Sequence, residues 1–282
     1  MAESGSGERL ALCLHGFPES WYSWRHQMGL LARLGYRVWA PDLRGYGESE
    51  RPVRVADYAL EELLADAAGL VDAAAPRSTL LVGHDWGGII AWHFAMRRVR
   101  PLERLVVMNC PHPAAPAIRT LRQLRRSWYM FFFQLPWLPE RLLSLGGFRF
   151  IDFLRDGAAN PENFPDEALE VFRAAAAQPG ALTAMLNYYR ALLRGGGLRR
   201  QRKLGTPLIE VPTLLIWGEN DMALGKETTR GTERLVKELT LRTLPGISHF
   251  VQQDAPEAVN EILEAWLLGR PVPERVAPGA RP

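Results

Sequence analysis

An aspartate sits at the sharpest bend that the sequence encodes. Thr79-Leu80-Leu81-Val82 is apolar, Gly83-His84-Asp85-Trp86-Gly87-Gly88 is glycine-rich, and Ile89-Ile90-Ala91-Trp92 is apolar again. That order predicts a strand, a tight turn and a helix, with Asp85 at the turn. The spacing G-x-D-x-G has the form of the nucleophile elbow G-x-S-x-G, whose small residues let the chain turn tightly enough to present the central side chain at the carboxyl edge of a sheet. Aspartate in the serine position changes the chemistry. A serine must lose a proton before it attacks a carbonyl, whereas a carboxylate is already ionised at neutral pH and can displace a leaving group from saturated carbon. The implied intermediate is an alkyl ester of the protein itself. An isolated aspartate at a strand end is as readily a turn or helix cap, so the reading depends on the rest of the chain.

The rest of the chain alternates. Apolar runs at Leu10–Leu14, Arg37–Ala40, Thr79–Val82, Arg104–Met108, Thr213–Trp217 and Leu241–Leu244 predict strands, and the intervals Asp57–Ala75, Gly87–Arg97 and Glu227–Leu239 predict helices. Such alternation implies an α/β fold, a mainly parallel sheet flanked by helices with its chemistry at the strands' carboxyl ends. From Pro111 to about Pro207 the rhythm breaks into helix-like segments and prolines, which predicts an inserted helical lid closed by the flexible Gly195-Gly196-Gly197 and a basic stretch. The expected division is residues 1–111 for the first part of the core, 112–206 for the lid, 207–270 for the second part of the core, and a poorly ordered tail at 271–282.

With 282 residues, 47% hydrophobic and 23% charged, the chain can bury a substantial core. Its net charge is only +3. Arginines gather at Arg119, Arg122, Arg125 and Arg126, and at Arg199, Arg200 and Arg202 with Lys203, without the aromatic interleaving of a nucleic-acid surface. They read as a solvated helix face and a hinge. The polar first nine residues show no secretory leader, and the apolar stretch Trp128–Leu138 is broken by Gln134 and Pro136 and falls short of a membrane span. Cys13 and Cys110 read as small buried thiols in a reducing cytoplasm, with neither metal spacing nor a disulfide framework.

Two further strand ends give Asp85 its context. Thr213–Trp217 runs into Gly218-Glu219-Asn220-Asp221, and the next strand runs into Pro245-Gly246-Ile247-Ser248-His249-Phe250. Nucleophile, acid and histidine in that chain order match the α/β-hydrolase arrangement. From about Leu10 to Leu268 the chain resembles the soluble-type α/β-hydrolase-fold epoxide hydrolases. The matching segments are His15-Gly16-Phe17-Pro18, Asp42-Leu43-Arg44-Gly45-Tyr46-Gly47-Glu48-Ser49, the elbow, Asn109-Cys110-Pro111-His112-Pro113 and the acid and histidine loops. Several of them also occur in haloalkane dehalogenases, so the lid discriminates: Tyr129 and Tyr189 are placed like the paired lid tyrosines of the epoxide hydrolases.

The resemblance implies the following roles. Tyr129 and Tyr189 hold the epoxide oxygen while Asp85 opens the ring; His249, oriented by Asp221, then activates water against the ester, and the N–H groups of Phe17 and Trp86 form an oxyanion hole. Tyr188 competes with Tyr189, since adjacent helical positions point about 100° apart; Tyr189 is preferred. Phe17, Trp86, Phe133, Met222 and Phe250 are expected to line an apolar pocket, and His15 and His84 to be scaffold. No metal or organic cofactor is required. The expected partners are a small epoxide and water, with no nucleic acid and no stable membrane insertion, in a monomer or homodimer. These roles predict a bell-shaped activity profile falling below about pH 6.5 and above about pH 10. The alternatives are a haloalkane dehalogenase and a non-catalytic small-molecule receptor on the same fold. Relatives of this kind place an antiparallel hairpin before the first strand; Met1–Arg9 is too short for it. The sheet is therefore expected to lack that edge, as from a start assigned too late or a truncation.

Overall fold

The computed structural model describes residues 1–116 and 120–274. One sheet contains β1 (Ala2–Ser4), β2 (Arg9–Leu14), β3 (Tyr36–Ala40), β4 (Ser78–His84), β5 (Arg104–Met108), β6 (Thr213–Gly218) and β7 (Leu239–Leu244), in the order β1-β3-β2-β4-β5-β6-β7. Among the described residues only β1 is antiparallel to its neighbour. The central strands are continuous apolar runs because both faces are covered. Along β2, Leu10, Leu12 and Leu14 enter one core while Ala11 and Cys13 enter the other, the period-two alternation of a pleated strand.

Helices α1 (Arg25–Arg33), α2 (Leu60–Ala74) and α3 (Trp86–Met96) belong to the first half of the core, and α12 (Val251–Asp254) and α13 (Pro256–Leu267) follow β7. Between β5 and β6 lie α4 (Leu121–Arg126), α5 (Trp128–Phe132), α6 (Leu138–Leu143), α7 (Leu145–Phe148), α8 (Phe153–Asp156), α9 (Asp166–Ala177), α10 (Ala181–Arg194) and α11 (Gly197–Lys203). This is the α/β-hydrolase fold with its inserted helical region. In α2, Leu60, Leu63, Leu64, Ala67 and Val71 form one buried stripe at helical spacing. Nearly all of α3 is buried, so it shows no amphipathic pattern.

Four expectations need correction. The interval Glu227–Leu239 is not a helix but two 3-10 turns, Lys226–Thr229 and Thr232–Arg234. Thr228 and Thr229 donate their hydroxyls back to the carbonyls of Gly225 (2.6 Å) and Lys226 (2.9 Å), and Gly231 at φ +90° turns the chain out of helical geometry. The sheet edge is not bare: β1 forms no hairpin with β2, but crosses to β3, pairing Ala2 with Ala40 and Ser4 with Val38. The basic stretch after the three glycines is helical, as α11. The start of the expected tail is tied down, since Arg242 donates to the carbonyls of Val272 (2.9 Å) and Pro273 (2.7 Å). Arg119 and residues 275–282 lie outside the described residues.

Candidate active site

The turn between β4 and α3 places Asp85 at φ +49°, a conformation that costs a non-glycine residue energy. Its neighbours make the bend possible by lacking side chains. A Cβ on Gly87 would lie 2.0 Å from the Leu14 carbonyl oxygen, and one on Gly16 would lie 2.4 Å from Asp85 Cβ. Gly16 thereby lets the loop after β2 come against the carboxylate, and the Phe17 N–H donates to Asp85 Oδ1 at 2.9 Å. The Trp86 N–H opens α3, where first-turn N–H groups have no intrahelical acceptor.

His249 and Asp221 arrive from the ends of β7 and β6. His249 Nδ1 lies 2.6 Å from Asp221 Oδ2, and Nε2 lies 3.6 Å from Asp85 Oδ2. The second distance is that of an ion pair with room to reorganise, too long for a hydrogen bond. Asp221 is held from several directions: Oδ1 accepts from the N–H groups of Ala223 and Leu224, both at 2.8 Å, and Oδ2 accepts from Asn109 Nδ2 at 2.8 Å. Burial alone would favour a neutral His249, but the carboxylates of Asp221 and Asp85 outweigh it and push its pKa up to about 10. For Asp85, burial works against the charge, and His249 with the Phe17 N–H still holds the carboxyl below the usual range.

Both lid tyrosines reach this point. Tyr129 on α5 and Tyr189 on α10 have ring centroids 5.9 Å apart at 83°, and Tyr189 also packs on Trp86 (5.0 Å), Phe133 (5.0 Å) and Phe17 (5.6 Å). Burial chiefly, and the Asp85 charge after it, push both phenols above the ordinary tyrosine range. Tyr188 faces elsewhere and donates its hydroxyl to the Arg44 carbonyl at 2.7 Å. Both phenols therefore keep their protons to higher pH than free tyrosine.

The expected pocket residues divide into two groups. Phe17, Trp86 and Phe133 surround Tyr189, beside Asp85. Phe250 and the exposed Met222 instead line a cavity of about 250 Å³ that reaches His249 and Asp221. The sequence reading missed other walls of the site: Phe153 and Arg126 line that cavity, and Phe150 stacks on Phe17 at 6.2 Å.

It also missed a buried polar girder. Glu19 is wholly buried and accepts from Gly16 N (3.1 Å), Gln252 Nε2 (2.9 Å) and Gln253 Nε2 (2.6 Å), while His84 Nδ1 lies 2.8 Å from its carboxylate. His84 Nε2 faces the His249 carbonyl at 2.9 Å. Burial opposes the Glu19 charge, but His84 and the surrounding donors hold its carboxyl below the usual range. The scaffold role expected of His84 thus has a definite form, a brace between the Gly16 turn and the backbone of His249. His15 is likewise structural, its Nε2 accepting from the Leu43 N–H at 3.0 Å.

Asn109 is the other unforeseen support. It accepts from Gly218 N at 2.8 Å and donates to Asp221, joining the ends of β5 and β6. Replacing Asn109 with Ala should destabilise the protein by about 1–3 kcal/mol through buried groups left unpaired. Thermal melting with and without the substitution measures this, and an unchanged melting temperature would remove Asn109 from the account.

Residues 12–256 match the family described as alpha/beta hydrolase fold. "Epoxide hydrolase 3" of Xenopus tropicalis is 42% identical over 267 residues, covering 92% of this chain and 71% of that protein. "Epoxide hydrolase 4" of Homo sapiens is 37% identical over 280 residues, covering 95% and 74%. Among solved structures, an epoxide hydrolase from Vigna radiata superposes with a TM-score of 0.83 at 29% identity, covering 95% of this chain and 93% of that one. One from an endophytic Streptomyces gives 0.81 at 28%, covering 95% and 91%. The class is thus the α/β-hydrolase fold. Within it, the chain belongs to the epoxide hydrolase family.

Proposed function

We propose that this epoxide hydrolase converts apolar alkyl or aryl epoxides to vicinal diols through an ester on Asp85. The observation that carries the reading is a strained, largely enclosed carboxylate, its side chain 16% exposed, with one oxygen held by the Phe17 N–H, beneath two lid tyrosines and beside an Asp221-paired imidazole. Asp85 Oδ2, free of that N–H, attacks a ring carbon. The ring C–O bond breaks away from it, and the departing oxygen takes the proton of Tyr129 or Tyr189. Opening needs this acid because an alkoxide is a poor leaving group.

Charge then drives the second half. Esterification removes the negative charge of Asp85, one of the two that raise the His249 pKa, so the imidazolium yields its proton more readily. The proton it gives up replaces the one that the tyrosine lost. Neutral His249 next takes a proton from water, whose oxygen adds to the Asp85 carbonyl carbon while the Phe17 and Trp86 N–H groups hold the oxyanion. Collapse releases the diol and restores Asp85 as carboxylate and His249 as imidazolium. All protons balance without a cofactor.

A pH dependence follows. Ester hydrolysis requires neutral His249, whose pKa in the ester is lower than about 10 in the resting protein; ester formation requires ionised Asp85 and a protonated lid tyrosine, and the phenols, pushed above the ordinary tyrosine range, keep their protons through this interval. Single-turnover fluorescence between about pH 5 and pH 10 should show hydrolysis accelerating with pH while formation stays nearly flat. Hydrolysis independent of pH over that range would contradict His249 as the base.

We assign residues 112–206 to the lid, between core parts 1–111 and 207–270. Among the described residues no helix is long and apolar enough to cross a membrane. Two buried free cysteines support placement in a reducing cytoplasm, and we take the protein as a monomer or homodimer. Incubation with aryl and alkyl epoxides, haloalkanes and carboxylic esters tests the reaction. Diol should form, and halide release faster than diol formation would overturn the reading.

A further inference from the structure

The lid carries an apolar stripe that is exposed among the described residues. One residue, Ser127, separates α4 from α5, in which Leu121, Leu124, Trp128 and Phe131 recur at three- and four-residue steps, the spacing that sets side chains on one helical face, and Leu135 lies in the bend that follows α5. All five are exposed, Leu121 by 80%, Trp128 by 64% and Phe131 by 56%, whereas Gln123 and Phe133 on the opposite side are buried. Trp137, 66% exposed, and Leu142 and Leu145 on α6 and α7 are exposed as well. Exposure of so many large apolar side chains within one segment marks an interaction surface.

The charges of this segment are mostly positive, although Arg122 meets Glu227 at 3.5 Å. Between Thr120 and Phe150 the sequence has Arg122, Arg125, Arg126, Arg141 and Arg149 against one acid, Glu140. That glutamate is already engaged by Arg190 at 2.7 Å. We infer that this face of the lid docks on an anionic phospholipid surface, with the indoles, Phe131 and the leucines entering the headgroup boundary and the arginines meeting lipid phosphates and carboxylates. An amphipathic helical surface with basic flanks binds bilayers in this manner, lying on them without spanning. The same charges disfavour a second copy of the chain, since a two-fold contact through this face sets arginine against arginine. Arg126, at the end of α4, also lines the cavity that reaches His249. Docking therefore brings that cavity against the layer in which apolar molecules concentrate.

Vesicle flotation tests the inference independently of the reaction. The probes are phosphatidylcholine vesicles with and without phosphatidylserine, at low and high salt. The variants are Trp128→Ser/Phe131→Ser and Arg125→Glu/Arg141→Glu, which leave Asp85, His249, Asp221 and the lid tyrosines in place. The wild type should float with the phosphatidylserine vesicles, less so at high salt. Each variant should lower the partition coefficient by about ten-fold or more, with unchanged melting temperature and unchanged turnover of a dissolved epoxide. A wild type that ignores anionic vesicles, or variants that bind them equally well, would overturn the inference. So would light scattering that shows a wild-type dimer made monomeric by Trp128→Ser/Phe131→Ser in a protein that does not float.

Discussion

The Tyr129→Phe/Tyr189→Phe protein should lose on the order of 10²- to 10⁴-fold in the rate of epoxide opening, the usual size of a general-acid contribution. Either tyrosine can partly serve for the other, so each single variant should fall by less. The substitution keeps ring size and the packing of Tyr189 on Trp86, Phe133 and Phe17, so substrate affinity should change much less than turnover. Tyr188→Phe is the control. It removes the hydrogen bond to the Arg44 carbonyl and should cost about 1 kcal/mol of stability while leaving most activity. Diol formation by the double variant at nearly the wild-type rate would take both tyrosines out of the mechanism.

His249→Gln separates the two half-reactions. Asp85 is held ionised and needs no base before it attacks, so the variant should still form the ester. It then lacks the group that activates water. Turnover should fall by at least about 10²-fold, and the protein should accumulate one substrate mass, which intact mass spectrometry detects and peptide mapping places on Asp85. A variant that binds the epoxide but stays unmodified would mean that His249 is needed for the first step, contrary to the division of roles proposed above.

The parts of this site that the sequence made legible are those defined by local pattern. Continuous apolar runs revealed β2, β4, β5 and β6, and the residues at the ends of β4, β6 and β7 supplied Asp85, Asp221 and His249 in chain order. Tyr129 and Tyr189 came from the family resemblance, since a tyrosine in an aromatic helix carries no local signature. The supports were hidden for a different reason. Glu19 and Asn109 act on groups far away in sequence, Glu19 on Gln252 and Gln253, and Asn109 on Gly218 and Asp221. Neither has a periodicity to betray it, although a charged residue immediately after His15-Gly16-Phe17-Pro18 and an asparagine at a strand end were visible hints. The failed helix at Glu227–Leu239 shows the opposite limit. Its composition is helical, but two threonine hydroxyls and Gly231 redirect the backbone, and an apolar count does not register that competition.

Oxygen labelling tests the central claim most directly. If Asp85 is the nucleophile, the first turnover in ¹⁸O-water transfers one Asp85 oxygen to the diol, and the water oxygen enters the carboxylate. With enzyme in excess over epoxide, so that each molecule turns over at most once, the diol should carry no label and the peptide containing Asp85 should gain ¹⁸O. Label in the diol with none in Asp85 would show that water attacks the epoxide itself, and the ester mechanism would fall.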